Sequence, residues 1–232
     1  MPQDHLAAEK NKAFFASNDR YAADVAEMAT YANIRRAIDL AITGKRRLLD
    51  VGNGGVFDYD TNLVGSVVGV DLFLDESAPL DLPANVQLRQ GDALSLDEED
   101  ASYDAVMHVF VLHHLVSHDV RGTIENVRRA IAESQRVLVP GEELLIVESC
   151  VSDRAFAVEK RLFAALRLIA GTSLFKHPPT LQLPPTMIET LLREQFGHVQ
   201  AERIPVGRLI LQFGHRWPTL LTPARPYLFI AR

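Results

Sequence analysis

The sequence predicts an α/β fold in which helices pack against a mostly parallel sheet. Three observations lead there. Short runs of strand length recur at residues 46–53, 66–72, 86–91, 103–109 and 143–149. The first of them is an apolar run ending in glycines, with no in-out alternation, as expected of a strand covered on both faces. Helical patterns lie between and beyond the runs, so strands alternate with helices and the building unit is βαβ.

Each element has a local reason. Residues 5–43 read as helical, with few Gly or Pro, many Ala, and Val25, Met28, Ala32, Ile34 and Ile38 at helical spacing. Gly44 stops that pattern. A helix over about 123–137 is closed by Pro140-Gly141. Beyond the fifth strand the chain holds an amphipathic helix over about 153–170, a Pro-rich loop at 177–185, a helix reaching Phe196, and late strands ending at 227–231. Internal repeats, low-complexity tracts and clear linkers are absent from the sequence.

Composition narrows the function. A chain of 232 residues fits one core, and 47% hydrophobic with 23% charged residues is globular composition. The net charge of −6 opposes a general grip on nucleic-acid phosphates, which relies on clustered Lys and Arg. The single cysteine, Cys150, cannot form an intramolecular disulfide and suits a reducing compartment. Met1-Pro2-Gln3-Asp4-His5 does not begin a basic-then-apolar leader, and no apolar run approaches a membrane span. The expectation is a cytoplasmic protein with neither a membrane nor a nucleic-acid partner.

The most informative local feature is Asp50-Val51-Gly52-Asn53-Gly54-Gly55, a glycine turn directly after a strand. Glycines there permit positive φ and close approach of a ligand to the backbone, although such turns also occur for purely structural reasons. The next strand, Val67-Val68-Gly69-Val70, ends in Asp71, where βαβ nucleotide sites place a carboxylate for ribose hydroxyls. A dinucleotide fingerprint would need glycine at position 57, which is Phe57, so an adenosine without a pyrophosphate fits better.

With these residues the chain resembles the class I S-adenosylmethionine-dependent methyltransferases of the small-molecule type. Leu49-Asp50-Val51-Gly52-Asn53-Gly54-Gly55 is similar to the family's first motif and Gly69-Val70-Asp71 to its ribose-binding motif. Gln90-Gly91-Asp92-Ala93 resembles the adenine segment, Tyr103-Asp104-Ala105-Val106 with Leu112-His113-His114-Leu115 the fourth-strand region, and Arg136-Val137-Leu138-Val139-Pro140-Gly141 the turn into the fifth strand. The resemblance implies a Rossmann-like, doubly wound, seven-stranded sheet with an antiparallel last strand near 227–231. It implies S-adenosylmethionine as cofactor, with Gly52, Asn53 and Gly54 facing the methionine part, Asp71 the ribose, Asp92 and Ala93 the adenine, and Asp50 and Leu72 as further cofactor-binding residues. One methyltransferase domain then fills 1–232, divided into a helical cap (1–44), a cofactor core (45–149), a substrate-cap insertion (150–185) and the C-terminal part of the sheet (186–232). Phe57-Asp58-Tyr59-Asp60-Thr61-Asn62 departs from the family, because it lacks the small-apolar helical pattern expected after the first motif. A short or distorted helix is expected there, and no cofactor contact is assigned to Tyr59.

Methyl transfer from a sulfonium depends chiefly on alignment, and a base is helpful rather than obligatory. His108, at the carboxyl end of the fourth strand, is the first candidate base and also a cofactor-lining candidate; His113 and His114 are the others. A purely structural role is the competing reading for all three. His114 and His118 have i, i+4 spacing but no evident third ligand, so no metal is expected. Glu148 ends the fifth strand, either touching an acceptor or held in hydrogen bonds. Phe14, Phe15 and Tyr21 resemble the family's aromatic entry helix, and Phe156, Val158, Leu162, Phe163, Leu166 and Ile169 either cap an acceptor pocket with the 177–185 loop or pack in the core. The expected function is methylation of a small-molecule acceptor, most readily at oxygen and in bacterial-type secondary metabolism. A nitrogen acceptor, or a methyltransferase fold serving only as a binding module, is the alternative.

Overall fold

The computed structural model describes residues 28–74, 82–170, 178–212 and 215–232. Among the described residues, helices α1 (Ala29–Ile42), α2 (Val120–Val137), α3 (Asp153–Ala170) and α4 (Pro185–Arg193) accompany strands β1 (Arg47–Val51), β2 (Ser66–Asp71), β3 (Val86–Gln90), β4 (Tyr103–Val109), β5 (Leu138–Cys150), β6 (Val199–Arg203), β7 (Leu209–Gln212), β8 (His215–Pro218) and β9 (Arg225–Ala231). Seven strands form one sheet in the order β3-β2-β1-β4-β5-β9-β6, and β7-β8 form a separate hairpin. β3, β2, β1, β4 and β5 run parallel, while β9 pairs antiparallel with both β5 and β6. β9 is therefore the reversed strand of the sheet, as the family resemblance implies.

Both sheet faces are covered, which explains the apolar strands. α1 buries Ile34, Ile38 and Ile42, spaced four apart, on the face that carries Leu48, Val67, Met107, Leu145 and Val147. Each fully buried isoleucine contributes about 1.5–3 kcal/mol. The other face, with Leu49, Val68, Val106, Leu144 and Ile146, is covered by Val127, Ala130 and Ile131 of α2 and by Ile188, Leu191 and Leu192 of α4. Asp119 caps α2 by accepting the Gly122 N–H at 2.6 Å.

Several boundaries differ from the sequence reading. The helix predicted over 5–43 is not continuous: α1 begins at Ala29 after an extended Met28 (φ −96°, ψ 125°), and residues 5–27 lie outside the described residues. α2 begins at Val120 rather than 123, and β5 starts directly at its end rather than at 143. The Pro140-Gly141 turn is a bulge within β5: pairing passes from Tyr103 and Leu138 to Ala105 and Glu143, with Gly141 at φ +87°. In α3 the apolar residues divide. Phe156 and Phe163 enter the core, whereas Val158, Leu162, Leu166 and Ile169 face outward, so the helix does not present them together to one pocket. The β7-β8 hairpin is tied to α1 through Thr30, whose hydroxyl donates to Leu209 O (2.7 Å) and accepts the Gly207 N–H (2.9 Å).

Candidate active site at the carboxyl edge of the parallel strands

β1, β2, β3 and β4 all deliver their C-termini to one edge, and each ends in or just before a candidate residue. After β1 the chain turns through Gly52 (φ +81°), Gly54 (φ +59°) and Gly55 (φ +81°), conformations costly for residues with a Cβ. A Cβ on Gly52 would also lie 2.6 Å from a Val111 methyl, while beside Gly54 the space is open. Gly69, on β2, lies under the turn, and a Cβ there would come 2.7 Å from Asn53 Nδ2.

Between β1 and β2 the described chain holds no α-helix; the short or distorted helix expected there is a single 3-10 turn at Thr61–Leu63, preceded by an irregular loop. Carboxylates hold that loop. Asp50, 2% exposed, accepts hydrogen bonds from the Tyr59 hydroxyl (2.9 Å) and Asn53 Nδ2 (3.1 Å), both at Oδ2. Asn53 Oδ1 accepts the Gly55 N–H at 2.9 Å. Asp71 Oδ2 accepts the Gly54 N–H at 2.9 Å, Asp71 Oδ1 the Phe73 N–H at 2.8 Å, and Asp39 of α1 accepts the Asp60 N–H at 2.9 Å. Burial pushes Asp50 up to about 7; the Tyr59 and Asn53 hydrogen bonds lower it, and the charges of Asp71 and Asp58 add to the rise.

The remaining cofactor candidates line the same edge. Leu72 follows Asp71, and both are partly exposed. Asp92 follows β3 and folds its own turn, with Oδ1 accepting the Leu94 N–H at 2.9 Å; Ala93 packs partly against the core. Asp50, Asp71 and Asp92 thus supply carboxylate acceptors at the ends of three adjacent strands, beside a turn with open space at Gly54. These donors and acceptors suit a ligand with ribose hydroxyls and cationic groups.

His108 is corrected by the structure. Its strand pairs on both sides, with Val51 and Ile146, and the ring turns toward α2 with 1% exposure. Nε2 lies 2.8 Å from Ser134 Oγ, and that hydroxyl donates to Ala130 O, so His108 is the donor to Ser134. Nδ1 is the unprotonated atom, buried without a hydrogen-bond partner among the described residues. Burial without a neighbouring charge pushes the imidazole down to about 4, which keeps it neutral. A side chain sealed between sheet and helix does not meet an acceptor, and its place is in the core.

His113 is placed differently. β4 ends just before Phe110, strained at φ +57°, and the chain then forms a 3-10 turn, Leu112–His114. His113 Nδ1 lies 2.6 Å from Glu148 Oε1, and its backbone N–H reaches Glu148 Oε2 at 3.3 Å. Glu148, 1% exposed, also accepts the Ser149 N–H at 2.6 Å, so it is the hydrogen-bonded carboxylate. With the carboxylate fixing Nδ1–H, Nε2 is the atom of His113 that can accept a proton. The His114 ring lies beside it, tilted by 40°, with centroids 4.2 Å apart. Residues 178–184 close the cluster: Leu181 N–H donates to His113 O (3.1 Å), Gln182 Nε2 to Ser149 Oγ (2.9 Å), and Gln182 N–H to Glu159 Oε1 of α3 (3.3 Å). These three bonds join α3 to the ends of β4 and β5. Burial raises Glu159, partly offset by the Gln182 N–H and by the neighbouring His113.

His114 and His118 do not share a helix face, because the 3-10 turn ends at His114; His118 instead meets Ser117 Oγ (3.2 Å) and Asp119 Oδ2 (3.3 Å). Phe14, Phe15, Tyr21 and His177 lie outside the described residues. Sequence reasoning missed Tyr59, Ser134 and Glu159 as partners of site residues. Only Glu159 carried a signal, as a charge on the same helix face as Phe156 and Phe163.

Comparison with known proteins agrees with this architecture. Residues 49–146 match the family model described as a methyltransferase domain. A curated protein of Encephalitozoon cuniculi (strain GB-M1), which carries the name of a methyltransferase, is 32% identical over 126 residues. That alignment covers 53% of this chain and 56% of the relative, so the chain spans little more than half the length of the relative it matches. Among solved structures, a SAM-dependent methyltransferase of Thermotoga maritima superposes with TM-score 0.60 at 16% identity, covering 96% of this chain and 97% of that one. A geranyl diphosphate methyltransferase in complex with GPP and sinefungin superposes with TM-score 0.58 at 14% identity, covering 86% and 76%. Residues 49–146 thus carry a methyltransferase domain, and the glycine turn, the strand-end carboxylates and the reversed β9 are similar to those of the class I S-adenosylmethionine-dependent methyltransferases.

Proposed function

We propose that the protein transfers a methyl group from S-adenosylmethionine to a small-molecule acceptor, at a hydroxyl oxygen, in the cytoplasm and in a bacterial-type secondary pathway. The observation that carries the reading is the His113–Glu148 pair at the same sheet edge as the glycine turn and Asp71. The cofactor supplies an electrophilic methyl group on a sulfonium. Gly52, Asn53 and Gly54 bind its amino-acid part, Asp71 and Leu72 its ribose, and Asp92 with Ala93 its adenine. Asp50 adds negative charge beneath the turn. Glu148 holds Nδ1–H of His113, and Nε2 takes the proton from the acceptor hydroxyl. Cys150, free and buried, suits a reducing compartment.

A nitrogen acceptor is the second reading, favoured by Glu159: a partly buried carboxylate beside His113 suits an ammonium group. The test is transfer of a labelled methyl group across a metabolite library that contains both alcohols and amines, read by mass spectrometry. Methylated alcohols support the first reading and methylated amines the second. Tight cofactor binding with no product across the library would instead favour a binding module.

A further inference from the structure

The loop after β1 carries the glycine turn with no α-helix behind it, only the 3-10 turn at Thr61–Leu63, and side chains bridge it. Tyr59 is 4% exposed, packs edge-to-face on Phe57 with centroids 5.9 Å apart, and directs its hydroxyl to Asp50 Oδ2 at 2.9 Å. The same oxygen receives Asn53 Nδ2 at 3.1 Å, and Asn53 Oδ1 receives the Gly55 N–H at 2.9 Å. A continuous chain of hydrogen bonds therefore runs from Tyr59 through Asp50 and Asn53 to the glycine backbone.

We propose that Tyr59 is a positioning residue, whose hydroxyl holds Asp50 in its charged, acceptor form and so sets the glycine turn for a cationic ligand. The inference rests on the reading of this edge as the S-adenosylmethionine site. An ionised Asp50 accepts two charge-assisted bonds, each roughly twice as strong as its neutral counterpart, and protonation weakens both together. Asp71 and Asp58 face Asp50 with like charge and favour the neutral form, with Arg35 acting on Asp58. Tyr59 and Asn53 oppose them. Burial and the Asp50 charge push the Tyr59 phenol up, so it stays a donor at every working pH.

The test is calorimetric titration of the full chain with sinefungin between about pH 5.5 and 8.5, a window that brackets the Asp50 titration, for the wild type, Tyr59→Phe and Asn53→Ala. Wild-type affinity should rise with pH through about 7 and then level off, because a cationic ligand favours ionised Asp50. In Tyr59→Phe the rise should move upward by about one pH unit, lowering affinity about 3- to 10-fold near pH 7 with recovery at the alkaline end. Recovery with pH is what simple structural damage does not give. Asn53→Ala removes the other donor and should move the curve in the same direction, so the inference stays testable if Tyr59→Phe does not fold. Binding that is indifferent to pH, or weakened equally at every pH in both variants, overturns this inference and leaves the cofactor reading standing. Wild-type protein that binds no sinefungin at any pH overturns both.

Discussion

Replacing His108 by glutamine tests the placement of that side chain in the core. In the folded protein the imidazole is pushed down to about 4 by burial, whereas in the unfolded chain it titrates near 6.5. The folded state thus binds the proton less well, so stability is fully present above about 6.5 and is lost as pH falls toward 4. Linkage gives a loss of about 2 kcal/mol between pH 8 and pH 5 from this one group. Asp50 acts in the opposite sense: raised to about 7, it makes the folded state bind a proton first and adds stability on acidification. The wild-type profile alone is therefore uninformative. The difference between wild type and His108→Gln isolates the imidazole, because the other titrating groups are common to both. Glutamine keeps an amide donor toward Ser134 Oγ, fits imperfectly, and lowers stability by a pH-independent amount. Urea denaturation should show that deficit shrinking by about 2 kcal/mol from pH 8 to pH 5. A deficit of the same size at both pH values refutes the burial argument. The variant should also keep its methyl-transfer rate; a fall of about 10²–10⁴-fold with cofactor binding intact would mean that the acceptor does reach His108.

Three further outcomes are expected. Asp71→Ala should weaken sinefungin binding in calorimetry, at about 1.5–3 kcal/mol for each ribose hydroxyl bond to the lost carboxylate, and it also releases the Gly54 and Phe73 N–H groups; unchanged affinity removes Asp71 from the site. His113→Asn should leave sinefungin affinity within a few-fold of wild type and lower turnover about 10²–10⁴-fold, with Glu148→Gln lowering it in the same direction; wild-type rates in both leave alignment alone as the mechanism. Gly69→Ala should keep the fold, because the Leu88 side chain can move from its 2.5 Å clash, but should displace Asn53 and weaken cofactor binding; full affinity would show that the turn does not depend on the space under Asn53.

Sequence alone determined the parts whose causes are local. Buried strands read as apolar runs, the turn after β1 read as glycines, and Asp71 and Asp92 read as carboxylates at strand ends, because each depends on residues a few positions away. The order of these motifs carried the family resemblance, and with it the reversed β9. Tertiary structure decided which groups meet. The ring of His108 could not be assigned from its place at a strand end: residues alternate across a strand, and His108 falls on the α2 side, where Ser134 stands 26 positions away in sequence. His113 found Glu148 across 35 positions because β4 and β5 lie side by side. Tyr59 stood in a segment with no helical period, and only the return of that loop over β1 brought its hydroxyl to Asp50. Periodicity records which face of an element is buried, whereas a hydrogen bond between distant residues depends on how the elements pack, and no local pattern encodes that.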